Sequence, residues 1–251
     1  MVHGQEDPAG APDLVQVLSA AAQQMTGSQE ASEAETVAWI VAAAVGTVPG
    51  AEYAGVSLLQ SDGEIISQAV SHDTVSAIDQ AQASYREGPC VTALWDEHTV
   101  AVDDMASAAE RWPWFGPAAV EAGVGSMLSF QLFARENSLG ALNLYASSPH
   151  GFSDDSRVLG GLFATHASSA LGQAQHTGQL NQALASRDVI GQAKGILMER
   201  FGLDAEQAFA MLVQSSQQTN LKLLAVAQWL TGSNPGPNPE HDSPAPGEHT
   251  Q

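Results

Sequence analysis

The chain has 251 residues, room for a mid-sized domain followed by a small one. Its formal charge is -20, from 8 Lys and Arg against 28 Asp and Glu, so it does not attract nucleic acid as a whole and any such site must be local. One cysteine, Cys90, excludes an internal disulfide, and the first residues lack the basic and apolar stretches of a signal peptide; both fit a cytoplasmic protein. The longest apolar run, Val37 to Val48, falls short of the ~20 residues that cross a bilayer, so no membrane association is expected.

Residues 1–11, rich in Gly, Pro, Ala and acids, are expected to be disordered. Residues 13–25 predict a short helix with Leu14, Val17, Leu18 and Ala21 on one stripe. A second helix is predicted at 32–48, stopped by Pro49-Gly50. Strands at 52–59 and 65–70 flank a Ser61-Asp62-Gly63 turn. A helix at 75–85 should end at Gly88-Pro89, followed by a strand at 99–102 and a Trp-rich helix at 110–121. Strands at 126–134 and 139–146 read as a hairpin around Arg135-Glu136-Asn137-Ser138. This order predicts an α+β domain, a mostly antiparallel sheet with helices packed on it, of the sensor type.

From 153 to 202 there is no proline and no strong turn, which predicts one long connecting helix or two nearly continuous ones. Such a helix is a stiff route between domains. Asp204 with Gln207 has capping-box spacing and starts a helix reaching about 217. Asn220 is expected to cap a last helix at 221–230. Residues 233–251 hold five prolines and no periodicity, a disordered tail. The expected divisions are a flexible start at 1–31, a sensor domain at 32–175, a three-helix domain at 176–232, and the tail.

Residues 1–85 contain no Lys or Arg, whereas 181–230 hold Arg187, Lys194, Arg200 and Lys222 against Asp188, Glu199, Asp204 and Glu206. Half of all the cations therefore lie in a neutral stretch. At about 100° per residue, Ile190, Leu197 and Phe201, with Ala193 beside them, form a core stripe. Arg187, Gly191, Lys194 and Met198 fall on the adjacent stripe. Two cations two turns apart with small residues between them suit close approach to a phosphate backbone, or are simply a solvated face. Gly191 and Gly195 equally suit close packing of helices or close approach of a ligand. Ala208, Phe209 and Leu212 read as core.

The segment from Ser186 to Leu230 resembles the ANTAR domain of bacterial transcription antitermination regulators. The resemblance is carried by Arg187, Ile190, Ala193-Lys194-Gly195-Ile196-Leu197-Met198, Ala208-Phe209, Leu212, Ser216-Gln217, Asn220, Lys222-Leu223 and Val226-Ala227. It implies binding to paired RNA stem-loops in a nascent transcript, which keeps a terminator hairpin from forming. Unstacked loop bases offer readable edges that an A-form duplex hides. On this reading Arg187, Lys194 and Lys222 contact phosphates or bases, Lys222 from the first turn of its helix. Gln192, Gln217 and Asn220 read base edges, Gly195 allows close approach, Met198 shares the face, and Arg200 is rotated away from Lys194. A DNA reader is disfavoured, because 221–230 has few polar side chains.

Residues of about 32–175 resemble a GAF domain, of the kind that precedes ANTAR domains in actinobacterial regulators. The matching pieces are Glu87-Gly88-Pro89-Cys90, Val102 to Met105, Arg111 to Phe115, Leu139 to Ala146 and Phe152 to Ser156. The resemblance allows a small-molecule ligand, but no ligand motif maps residue by residue, so no cofactor is named. The histidines show no metal spacing, and haem through His72 or His166 is disfavoured. Cys90, after Gly-Pro near a helix start, is either a redox-sensing thiol of lowered pKa or a buried residue closing a turn. Trp112 and Trp114 are expected in the core. No P-loop, nucleophile elbow or His/Glu metal pair points to an enzyme.

The expected function is an RNA-binding antitermination regulator with a sensor domain, acting as a homodimer because two linked stem-loops favour two modules. The alternative is a ligand- or partner-sensing signalling module whose C-terminal helices only dimerise it.

Overall fold

The computed structural model describes residues 31–60, 62–134 and 137–232. The helix expected at 13–25, the disorder expected at 1–11, the hairpin turn at 135–136 and the tail at 233–251 lie outside the described residues. The chain divides into two compact units between Gly178 and Gln179.

The first unit starts with α1 (Glu33–Thr47). Ser32 and Glu35 form a capping box there, and Val37, Ile40, Val41 and Ala44 are buried at i, i+3, i+4 and i+7. Five strands follow: β1 (Tyr53–Leu59), β2 (Ile65–Val70), β3 (Thr99–Val102), β4 (Ser126–Ala134) and β5 (Asn137–Ala146). They form one antiparallel sheet in the order β2-β1-β5-β4-β3. Between β2 and β3 lie α2 (Asp73–Tyr85) and α3 (Pro89–Trp95). Between β3 and β4 lie a 3-10 turn (Met105–Glu110) and α4 (Phe115–Glu121). The helix α5 (Asp154–Phe201) then runs unbroken through the division of the units.

The two faces of the sheet differ because side chains alternate along a strand. Ala54, Val56, Leu58, Leu128, Phe130, Leu132, Leu142 and Leu144 pack with α1 and with Phe163, Ala164, Ala167 and Leu171 of α5 in one apolar core. Residues of the opposite parity include Gly55, Ser57, Ser129, Asn143 and Tyr145, and this face is covered by α2, α3 and α4. One layer is therefore oil-like and the other carries buried polar groups.

Two sequence expectations are corrected here. Gly88-Pro89 does not end the helix before it, which closes at Tyr85 with Arg86 in the left-handed conformation (φ 53°). Proline at the first position of α3 starts a new one, with Gly88 at φ 115° before it. The stretch 110–121 is not one helix: a 3-10 turn precedes it and α4 begins only at Phe115, because Pro113 interrupts the backbone hydrogen bonding.

The second unit comprises the end of α5 with α6 (Ala205–Thr219) and α7 (Leu223–Thr231). Gly202 at φ 65° ends α5, and Asp204 with Gln207 makes the expected capping box on α6. Ala193, Leu197, Ala208, Leu212 and Ala227 form its buried centre. The fold is thus α+β, with an antiparallel sheet, a long connecting helix and C-terminal helices.

Candidate functional site

In the second unit, Arg187 is exposed and Lys194 half-buried on one side of α5. Gly191 and Gly195 are exposed, and a Cβ added at either meets nothing within 4 Å. No packing within the chain requires glycine at these two positions. Met198 is half-buried against the small core rather than free on the cationic face. Gln192 and Arg200 are exposed but stand about 160° and 120° round the helix from Lys194, by helical phase. Gln217 is exposed near the end of α6.

Two assignments shift by one step. Asn220 closes α6 in the left-handed conformation (φ 54°), its backbone N–H donating to the Ser216 carbonyl, so it caps the helix before it rather than the one after. Lys222, not Asn220, occupies the N-cap position of α7, just outside the first turn, and makes no side-chain capping bond. Two core expectations fail. Phe201 is 61% exposed and Phe209 44% exposed, because each sits on the flank of its helix beyond the reach of the small centre.

In the first unit the sequence did not single out a buried polar cluster beneath the sheet. Asp79 and Gln82 lie on the inward stripe of α2 with Val75 and Ile78. Asp79 Oδ1 accepts from the Tyr145 hydroxyl, from Asn143 Nδ2 at 3.3 Å and from Gln82 Nε2 at 3.4 Å. Its Oδ2 accepts from the hydroxyls of Ser67 at 3.0 Å and Ser57 at 3.5 Å. Gly55 makes this possible: a Cβ there would stand 2.8 Å from both Asp79 Oδ2 and Val75 Cγ1. Burial pushes the Asp79 carboxyl above the usual carboxylate range, against the lowering effect of its hydrogen bonds. The signal that would have found it is a polar pair on an apolar helical stripe facing strand positions Gly55, Ser57 and Asn143.

Cys90 belongs to this cluster's edge, and of its two readings the buried residue fits rather than the thiol of lowered pKa. The thiol is buried and pushed up to about 12, by desolvation first and by the Asp79 charge second. At neutral pH it holds its proton, so the thiolate that an oxidant attacks is not formed. The rest of the Glu87-Gly88-Pro89-Cys90 segment is architectural. Glu87 Oε2 accepts from the backbone N–H groups of Trp114 at 2.9 Å and Phe115 at 3.2 Å, capping α4. The Cys90 N–H donates to Gln82 Oε1 at 2.8 Å, and a Cβ at Gly88 would stand 2.6 Å from that same oxygen. Trp112 is buried under the Arg111 guanidinium, 4.7 Å from its ring centre, but Trp114 is 69% exposed, so only the first belongs to the core.

Among the described residues, no group of three or more His, Cys, Asp and Glu is arranged to hold a metal, and no helix is long and apolar enough to cross a membrane.

A GAF domain is matched over residues 30–172 and an ANTAR domain over residues 178–230. The chain belongs to the GAF family and carries an ANTAR domain behind the GAF domain, a pairing of signalling and regulatory domains. No curated protein matches it. Similar solved structures include the free methionine-R-sulfoxide reductase of Neisseria meningitidis in complex with its substrate. That likeness has 15% identity and a TM-score of 0.52, covering 67% of this chain and 96% of that one. The GAF domain of an Acinetobacter phosphoenolpyruvate-protein phosphotransferase gives 14%, 0.50, 66% and 97% for the same quantities. A bacteriophytochrome from R. palustris gives 12%, 0.53, 82% and 47%. At these identities the likeness is of fold alone.

Proposed function

We propose that this chain is a cytoplasmic, non-enzymatic regulator that binds paired stem-loops in nascent RNA through residues 176–232 and so prevents terminator formation. The GAF domain at 32–175 modulates that binding. One observation carries the reading: Arg187 and Lys194 stand on one side of α5 with Gly191 and Gly195, whose Cβ space is open, in a neutral stretch of a chain of charge -20. Internal packing does not call for the two glycines, and close approach of a phosphate backbone accounts for the combination.

Arg187 and Lys194 take phosphates. Lys222 adds a cation where the free N–H groups of the first turn of α7 also attract a phosphate. Gln217 and Asn220, near the end of α6, offer groups for base edges. Gln192 and Arg200, turned away from Lys194, engage only an RNA that wraps round the helix. The chain acts as a homodimer, since Leu180 and Leu184 are exposed one turn apart on α5 and two modules bind two linked hairpins by effective concentration.

The same two leucines favour the second reading, a signalling module whose C-terminal helices only dimerise it. A gel shift with an RNA of two linked hairpins, at several salt concentrations, separates the two. The full chain is expected to bind with a steep salt dependence, and the Arg187→Ala, Lys194→Ala double variant to lose binding by tenfold or more. Absence of wild-type binding at low salt, or binding indifferent to both changes, overturns the RNA reading.

A further inference from the structure

Phe201 and Phe209 are exposed at positions where an amphipathic pattern asks for core residues. Ala193 and Leu197 mark the inward direction of α5. Phe201 follows Lys194 by seven residues and Arg187 by fourteen, and each seven-residue step drifts only about 20°. Arg187, Lys194 and Phe201 therefore share one flank of α5. On α6 the inward direction is marked by Ala208 and Leu212, and Phe209 lies about 80° from it in the same rotational sense. The turn Gly202–Asp204 brings both buried pairs into one core. In two helices that run back along each other, residues displaced in the same sense from the shared seam face the same side. Both rings thus lie beside the cations, one at the end of α5 and one in the second turn of α6.

Charge selects the occupant. A symmetric second copy seated here would press this cationic patch against an identical cationic patch. A nucleic acid brings the opposite charge, and an unpaired base brings a flat apolar face. We propose that Phe201, with Phe209 beside it, is a stacking platform for unpaired bases of an RNA hairpin loop, while Arg187 and Lys194 hold the flanking phosphates. The inference rests on the RNA reading above and adds the contact that distinguishes a loop from a duplex.

The test is fluorescence anisotropy of the full chain with a labelled RNA of two linked hairpins, whose loops carry either A and G bases or abasic sites on the same backbone. Phe201→Ala is expected to weaken binding to the base-containing RNA by about 5- to 150-fold with an unchanged salt slope. Phe201→Trp is expected to bind as well as wild type, and the abasic RNA to bind wild type and Phe201→Ala alike. If Phe201→Ala binds both RNAs like wild type while Lys194→Ala is weakened, the platform is refuted and the RNA reading stands. If wild type binds neither RNA, both fall. If Phe201→Ala turns a dimer into a monomer in sedimentation and loses both RNAs equally, the ring belongs to a second copy and the platform is overturned.

Discussion

Replacing Asp79 by asparagine changes the charge of one buried group and almost none of its volume. An amide with its oxygen at the Oδ1 position keeps the bonds from Tyr145, Asn143 and Gln82. Its nitrogen at the Oδ2 position donates to the Ser57 and Ser67 hydroxyls, which rotate to accept. Titration is what is lost. Burial raises the folded-state pKa of Asp79 above the 3.8 of an ordinary aspartate, so between those two values the native chain holds a proton that the unfolded chain has released. Stability from this group is fully present below pH 3.8 and is lost as pH rises through the folded value. One proton limits the slope to about 1.4 kcal/mol per pH unit. Tyr145 and Cys90, which face the carboxyl, are both pushed up and stay neutral through this range. Urea unfolding at fixed ionic strength from pH 4 to 8, read by tryptophan fluorescence, should show the wild type losing stability relative to Asp79→Asn as pH rises. Asp79→Ala, which orphans the donors of Tyr145, Asn143 and Gln82 at about 1–3 kcal/mol each, should cost about 3 kcal/mol or more at every pH. A difference between wild type and Asp79→Asn that is constant with pH, or that grows in the wild type's favour as pH rises, refutes the reasoning.

Three further outcomes are expected. Gly55→Ala should lower stability by about 1–3 kcal/mol, because the new methyl collides with Asp79 and Val75; an unchanged Tm would mean that α2 is not seated on β1 as described. Cys90 in the native chain should react with a disulfide reagent at pH 8 far more slowly than in the denatured chain, and equal rates would contradict its burial and raised pKa. Gly195→Ala should stabilise α5 by roughly 1 kcal/mol, since its Cβ meets nothing, yet weaken RNA binding in the anisotropy assay. A variant that binds like wild type would show that nothing approaches this stretch closely.

The strands were legible because alternation and the β-branched runs between turns survive in any context, and the capping box at Asp204 was legible because it is local. The α3 helix was not. Gly88-Pro89 reads equally as a stop or as a start, and what decides is Gln82, eight residues from Cys90, reaching across to take the N–H of the first turn. Phe201 and Phe209 went astray for a different reason: periodicity gives the angular position of a side chain, but not how far the neighbouring helices extend over it. The position of Lys194 on its stripe needed only helical phase, whereas Asp79 required knowing that Gly55 lies opposite, a pairing of residues from separate elements.

The ring of donors around Asp79 has a consequence for how such a sensor is altered. The Tyr145 hydroxyl, the Asn143 amide and the Ser57 and Ser67 hydroxyls converge on a carboxylate that happens to be covalently attached. Shortening that one side chain to glycine leaves a socket already shaped for a small dissolved acid, so acetate or formate should restore by binding what the deletion removes. A domain whose interior is filled by its own chain is then a single codon away from one that depends on a metabolite.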